Sequence, residues 1–98
     1  MTLGEGHAVL IRFDASYSPE ELADLEDALS SLLNQAGVGE FDGNEIGPNE
    51  TTLFLYGPDA DVLFSVVRET LRQNALCERA RVILRYGAPG SFQRELKP

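Results

Sequence analysis

The chain runs twice through the same local pattern of a strand, a capped turn and a helix, and this repetition constrains the fold more than any other feature. The stretches LIRFDASYSPEELADLEDAL and LFLYGPDADVLFSVVRETL both follow the pattern. In each, alternating apolar residues give way to a proline-containing turn and then to an apolar stripe with helical spacing. A chain of 98 residues holding two such units is expected to form a single domain, residues 1–98.

The first helix is predicted over residues 18–37. Ser18 is a suitable N-cap, Pro19 suits the first helical position, and Glu21 completes a capping box. Gly37 can supply the left-handed residue that ends the helix. The apolar residues between these signals recur at three- and four-residue steps and predict one buried stripe: Leu22, Leu25, Leu29, Leu32, Leu33 and Ala36.

The remaining segments complete a β-α-β-β-α-β order. Alternation predicts strands at 7–15, 51–57 and 80–87, a weaker strand at 38–47, a turn at 48–50 and a second helix at 57–76.

This order predicts a ferredoxin-like α+β fold, with both helices on one face of a four-stranded antiparallel sheet. The expected spatial order is fourth, first, third and second strand. A three-stranded sheet with 38–50 as a loop is the alternative. The tail, 88–98, is assigned no element and is expected to be partly flexible.

The net charge of −8 is unevenly distributed along the chain. Residues 1–67 carry thirteen acids and one base, Arg12, whereas residues 68–98 carry seven bases and three acids. The acidic part would repel nucleic acid and anionic lipid, so we expect neither as a partner. A basic protein, or a second copy of the chain, fits this distribution better, although the acids could simply keep a small protein in solution.

Cysteine and hydropathy indicate where the protein acts. The single cysteine, Cys77, excludes an internal disulfide and is compatible with a reducing compartment. The opening residues lack a basic leader segment with a cleavage site, and no long apolar run follows. We therefore expect a cytoplasmic protein that does not bind membranes.

The stretch GEFDGNEIG, residues 39–47, is the main candidate for a ligand-binding or cation-binding loop. A calcium loop counted from Asp42 lacks two of its required oxygen ligands, and one histidine and one cysteine are fewer nitrogen and sulfur ligands than a zinc site uses. We expect no metal, no cofactor and no catalytic residue. As an alternative to an interaction module, a small ligand would be bound by Glu40, Asp42, Asn44, Glu45 and Tyr56.

The same stretch can be interpreted as a polar edge strand with a bulge at Gly43. As a regular strand, it would direct Glu40, Asp42 and Asn44 to one face and Phe41 and Glu45 to the other.

The sheet face away from the helices is the predicted dimer interface. It should carry arginines on one side, acids on the other and apolar residues between them, an arrangement that a two-fold axis can make self-complementary. We expect these residues to form a homodimer interface: Leu10, Arg12, Phe54, Tyr56, Arg81, Ile83 and Arg85.

Three strings, GEFDGNEIG, YGPDADVLF and ARVILRYG, together resemble a family of small bacterial proteins that has no assigned activity. The resemblance covers residues 38–87 well and the first strand and helix loosely. It implies a bacterial cytosolic protein with a compact α+β fold, and it carries no catalytic residues to transfer.

The sequence therefore predicts a non-enzymatic, acidic interaction module that forms a homodimer and binds a basic protein. A regulator or immunity-type inhibitor of a nuclease is a further alternative, which rests on analogy of fold and charge alone.

Overall fold

The computed structural model describes residues 6–98. Residues 1–5, part of the stretch in which no leader is expected, lie outside this range. The elements in chain order are β1 His7–Asp14, α1 Pro19–Ala36, β2 Glu40–Ile46, β3 Glu50–Gly57, α2 Ala60–Gln73, a short 3₁₀ helix Ala75–Cys77, β4 Arg81–Arg85 and β5 Gln93–Leu96.

The protein is an α+β fold in which two helices pack on one antiparallel sheet. The strand order is β2-β3-β1-β4-β5, so the first four strands are arranged as the sequence predicts. The alternative with a loop at 38–50 is wrong, because Glu40–Ile46 pairs with β3.

The core lies between the sheet and the helices. Alternate residues of β1, β3 and β4 point towards α1 and α2, including Val9, Ile11 and Leu55, which are fully buried. The apolar stripe of α1 supplies Leu25, Leu29 and their neighbours to the same cluster. The core is thus built by the alternation and the helical spacing that predict the elements.

The ends of α1 form as its sequence signals predict. Ser18 accepts a hydrogen bond from the Glu21 amide, and the Glu21 carboxylate accepts one from the Ser18 amide at 2.9 Å. At the other end, Gly37 adopts φ 66° and its amide donates to the carbonyl of Leu33. These bonds satisfy backbone groups that a helix end otherwise leaves unpaired.

The sheet has five strands, so the expectation of four is wrong. Gln93–Leu96 pairs antiparallel with β4, and Leu96 packs against the core. The Nε atoms of Arg68 and Arg72 on α2 donate to the main-chain oxygen of Pro98 at 3.2 and 2.7 Å. The tail, expected to be partly flexible, is therefore tied to the domain by backbone pairing, by an apolar side chain and by two arginines.

Candidate interaction surfaces

A bulge governs which way the side chains of β2 point. Phe41 pairs with Leu55 and Gly43 pairs with Phe54, so Asp42 is the extra residue between them. The bulge at Gly43 that the sequence predicts is therefore present, with Gly43 at φ 121°. Gly39 precedes the strand at a point where an added Cβ would collide with the carbonyl oxygen of Tyr56. A glycine at this position allows β2 to begin in close contact with the end of β3.

The bulge overturns the expectation that Asn44 shares a face with Glu40. The register places Glu40 opposite Tyr56 and Glu45 opposite Thr52, both on the face away from the helices. Asn44 instead lies on the helix side, where its Nδ2 donates to Glu26 Oε2 at 2.5 Å. One inserted residue exchanges the faces of every later side chain, which explains the error.

The hydrogen bond between Asn44 and Glu26 joins β2 to α1 on the helix side, whereas Glu40 and Glu45 point to the opposite face of the sheet, so the carboxylates of these elements lie on both sides of the β2 edge. We call the following residues, all exposed, the acidic surface: Glu20, Glu21, Asp24, Asp27, Glu40, Asp42 and Glu45. Within residues 6–98, both ion pairs involve Arg81, whose partners are Glu50 and Glu95. No base in that range therefore neutralises the acidic surface by direct pairing.

The sheet face opposite the helices, here the open face, carries a small apolar cluster of its own. Ala8, Leu10 and Ile83 are buried there, with Phe54 and Tyr56 partly buried around them. Leu10 and Ile83 expose only 7% and 6% of their surface. These two side chains are already shielded in the single chain and can add little new buried area to an interface.

The three arginines expected at the open face lie in different environments. Arg85 is only 8% exposed, donates from Nε to the carbonyl of Gly87 and lies 5.9 Å from the ring centre of Tyr56. Arg81 is exposed and pairs with Glu50, which raises its pKa. Arg12 is half-buried beside these strands. Of the three, Arg85 is satisfied within the fold, whereas Arg12 and Arg81 remain accessible to a partner.

The residues expected to hold a small ligand do not all lie on one face, although Glu40 and Tyr56 are cross-strand neighbours on the open face. Asn44 points to the helix side, whereas Glu40 and Glu45 lie on the opposite face and Asp42 occupies the bulge. Tyr56 contacts the apolar cluster of the open face. Within residues 6–98, no three histidine, cysteine, aspartate or glutamate side chains are grouped as a metal site.

A cavity of about 320 Å³ lies elsewhere, between the end of β1, the start of α1 and the 3₁₀ helix. Its charged lining residues are Asp14, Glu21, Glu78 and Arg79. The Glu21 carboxylate is already engaged in the capping box, where it accepts a hydrogen bond from the Ser18 amide.

A cluster that the sequence does not predict lies at the start of α2. His7 Nδ1 accepts a hydrogen bond from the Ala60 amide at 3.0 Å, and the His7 ring meets the Tyr86 ring edge to face. Tyr86 donates its hydroxyl to Asp61 Oδ1 at 2.6 Å and stacks on Phe92. The hydrogen bond to Asp61 raises the pKa of Tyr86. The cluster fastens β1, α2 and the segment before β5 together, and the sequence offers no spacing signal for it.

No helix within residues 6–98 has the length and apolar character needed to cross a bilayer. No protein-family model, no curated protein and no solved structure matches the chain. The resemblance of its three strings to a bacterial family therefore stays a prediction.

Proposed function

We propose that this protein is a non-enzymatic interaction module that binds a basic protein through its acidic surface. The observation that carries the proposal is the placement of seven exposed carboxylates on α1 and β2, which the Asn44–Glu26 hydrogen bond joins. Within residues 6–98 these carboxylates have no basic partner at ion-pair distance, so their field is directed to solvent. Such a field accelerates encounter with a basic partner and weakens with added salt.

Some of these carboxylates have a structural role, and they can be distinguished from the carboxylates that remain available to a partner. Glu21 belongs to the capping box, and carboxylates near the start of a helix stabilise it by interacting favourably with the helix dipole. Glu40, Asp42 and Glu45 have no such role, because they lie on an edge strand. Helix stabilisation therefore accounts for Glu20 and Glu21 in the first turn of α1 and leaves Asp24, Asp27 and the acids of β2 for recognition.

A lysine-rich synthetic peptide is a suitable probe for the acidic surface. We expect saturable binding that weakens as salt increases. Replacing Asp24 and Asp27 together by Asn should weaken binding roughly two- to thirtyfold at low salt, since exposed ion pairs contribute roughly 0.2–1 kcal/mol each. Calorimetric titration at several salt concentrations measures this change.

A matched control removes acids elsewhere on the molecule. Glu69 and Glu78 are exposed on α2 and after the 3₁₀ helix, outside the acidic surface. The double variant Glu69→Gln, Glu78→Gln should keep nearly the affinity of the wild type. Equal losses in the two variants would show that the probe senses net charge alone, which contradicts the proposal.

A homodimer through the open face is the second proposal, supported by an apolar cluster that no described helix covers. Since Leu10, Ile83 and Arg85 are already buried, association would rest on Phe54, Tyr56 and the accessible arginines. Glu45 on β2 lies on the same face and would receive those arginines across a two-fold axis, whereas Glu95 on β5 already pairs with Arg81 of its own chain. The expected dimer is weak, because the remaining apolar area is small.

Sedimentation over a range of concentrations tests the dimer. Phe54→Ser should lower the dimer population, whereas Val62→Ser on α2 removes a comparably apolar, partly exposed side chain away from this face and should not. If the wild-type protein remains a monomer into the high micromolar range, the homodimer is excluded. That result would not affect the proposal that the acidic surface binds a basic protein.

We also propose that the β-α-β-β-α-β part of the fold is ferredoxin-like. This proposal is supported by the order of its elements along the chain.

A further inference from the structure

We infer that the outer edge of β2 binds an extended basic segment of the partner, which adds to the sheet as a sixth strand. This inference rests on the proposed function and adds the mode of binding to it. Binding of this kind uses main-chain hydrogen bonds for affinity and alternate side chains for selectivity.

The edge is accessible along its whole length. β2 is the terminal strand of the sheet, and within residues 6–98 it pairs with β3 alone. Every residue from Glu40 to Ile46 is exposed or half-exposed. In an antiparallel strand, alternate residues direct both amide and carbonyl away from the neighbour that they pair with. The outer side of β2 therefore presents main-chain groups that a second chain can bond.

The charge of this edge selects the occupant. Glu40, Asp42 and Glu45 give the strand three negative charges and no positive one. Pairing of β2 with β2 of a second copy would set carboxylates beside carboxylates, which opposes such a dimer. The other sheet edge is protected differently, since β5 has only four residues and mixes Arg94 with Glu95. A basic extended segment is thus the complement of the β2 edge.

The bulge sets the length and the pattern of the expected segment. The pairing of β2 is regular from Gly43 to Ile46, after the irregularity at Asp42. Within this part Glu45 points to the open face, and Asn44 and Ile46 point to the helix side. Ile46 is 59% exposed, so it offers an apolar contact at the end of the strand. The matching segment alternates basic residues, which face Glu45 and Glu40, with apolar residues, one of which contacts Ile46.

A short peptide of alternating lysine and valine tests this pattern when compared with two methylated forms. One form is N-methylated at the lysine amides and the other at the valine amides, and both keep the charge of the parent. In a paired strand, one set of amides faces β2 and the other faces solvent. We expect one methylated form to bind about tenfold more weakly or worse and the other to bind like the parent.

Two further measurements locate the contact. Amide hydrogen exchange within residues 43–46 should slow about tenfold when the parent peptide is present at roughly ten times its dissociation constant. Ile46→Ser should weaken binding of the parent peptide, whereas Val62→Ser should not, although Val62 on α2 is also an exposed apolar residue. Both side chains are at the surface, so both variants are expected to fold.

The outcomes separate the edge from the acidic surface. If both methylated forms bind like the parent and residues 43–46 show no added protection, pairing at the edge is excluded, and the proposed function stands on charge alone. If the parent peptide does not bind, or binds equally after Asp24 and Asp27 are neutralised and Glu45 is replaced by Gln, the proposed function and this inference both fail.

Discussion

Tyr86 donates its phenolic hydrogen to Asp61 Oδ1 at 2.6 Å, which ties the end of β4 to the first turn of α2. The same ring meets His7 at its edge and stacks on Phe92. Three segments that are distant in sequence are held at one point, close to where the chain turns towards β5.

The stability contribution of this hydrogen bond should disappear at high pH. The bond to Asp61 is the largest cause of the raised pKa of Tyr86, burial adds to it, and the nearby Arg94 guanidinium opposes it. Because the pKa is higher in the folded than in the unfolded state, the contribution is complete below the unfolded pKa of about 10. It is lost as the pH rises through the raised value.

Urea unfolding of the wild type and of Tyr86→Phe measures this effect. The variant keeps the ring and loses the hydroxyl, so it should be slightly less stable at neutral pH. The difference in the free energy of unfolding should shrink above pH 10. A difference that stays constant or grows with pH would contradict the assignment of the raised pKa of Tyr86 to its hydrogen bond with Asp61.

Cys77 should be almost inert to thiol reagents in the folded protein. Its side chain is 3% exposed, and burial raises the pKa of the thiol from 9.0 to about 11. With opening governed by an unfolding free energy near 5 kcal/mol, labelling should be slower than that of a free thiol by about a thousandfold or more. Labelling in native buffer at nearly the rate seen in denaturant would contradict this burial.

The same thiol links stability to pH. Its folded pKa lies above its unfolded value, so stability is unaffected below pH 9 and decreases as the pH rises from 9 towards 11. Cys77→Ala should remove this part of the decrease while lowering stability at neutral pH, because it leaves a small cavity.

Ser18→Ala should lower the free energy of unfolding by about 1 kcal/mol. The change removes the acceptor of the Glu21 amide and breaks the reciprocal capping box. Ser31→Ala is the control, since Ser31 is exposed in the body of α1, where alanine favours the helix. Urea unfolding that shows equal changes in both variants would mean that the cap contributes nothing beyond helix propensity.

Leu96→Ala tests whether the fifth strand contributes to stability. Leu96 is partly buried against the core, so its truncation should cost roughly 1–2 kcal/mol. Lys97→Ala changes an exposed neighbour and should stay within about 0.5 kcal/mol of the wild type. If Leu96→Ala changes the free energy of unfolding as little as Lys97→Ala does, packing of Leu96 against the core does not contribute to stability.

The sequence predicts what depends on local signals and misses what depends on distant contacts. The boundaries of α1 follow from Ser18 and Gly37, and the facing of β1 follows from its strict alternation. β5 has no such signal, because Gln93–Leu96 holds one apolar residue and no β-branched one. Its formation depends on the free edge of β4 and on the arginines of α2, which the local sequence does not reveal.

The candidate site shows the same division. The sequence indicates the acids of α1 and β2 and even the bulge at Gly43. It does not fix which residue is the extra one, so it assigns Asn44 and Glu45 to the wrong faces. Glu26 is missed for the same reason, since its contact with Asn44 exists only once the bulge has set the register.

The most direct measurement of the central claim is an amide NMR titration of the labelled protein with the alternating lysine–valine peptide. The account predicts that shift changes concentrate in residues 20–27 of α1 and in β2, and that they fade as salt is added. Shift changes centred on the open face around Leu10 and Ile83, or on Arg68 and Arg72 of α2, would contradict it.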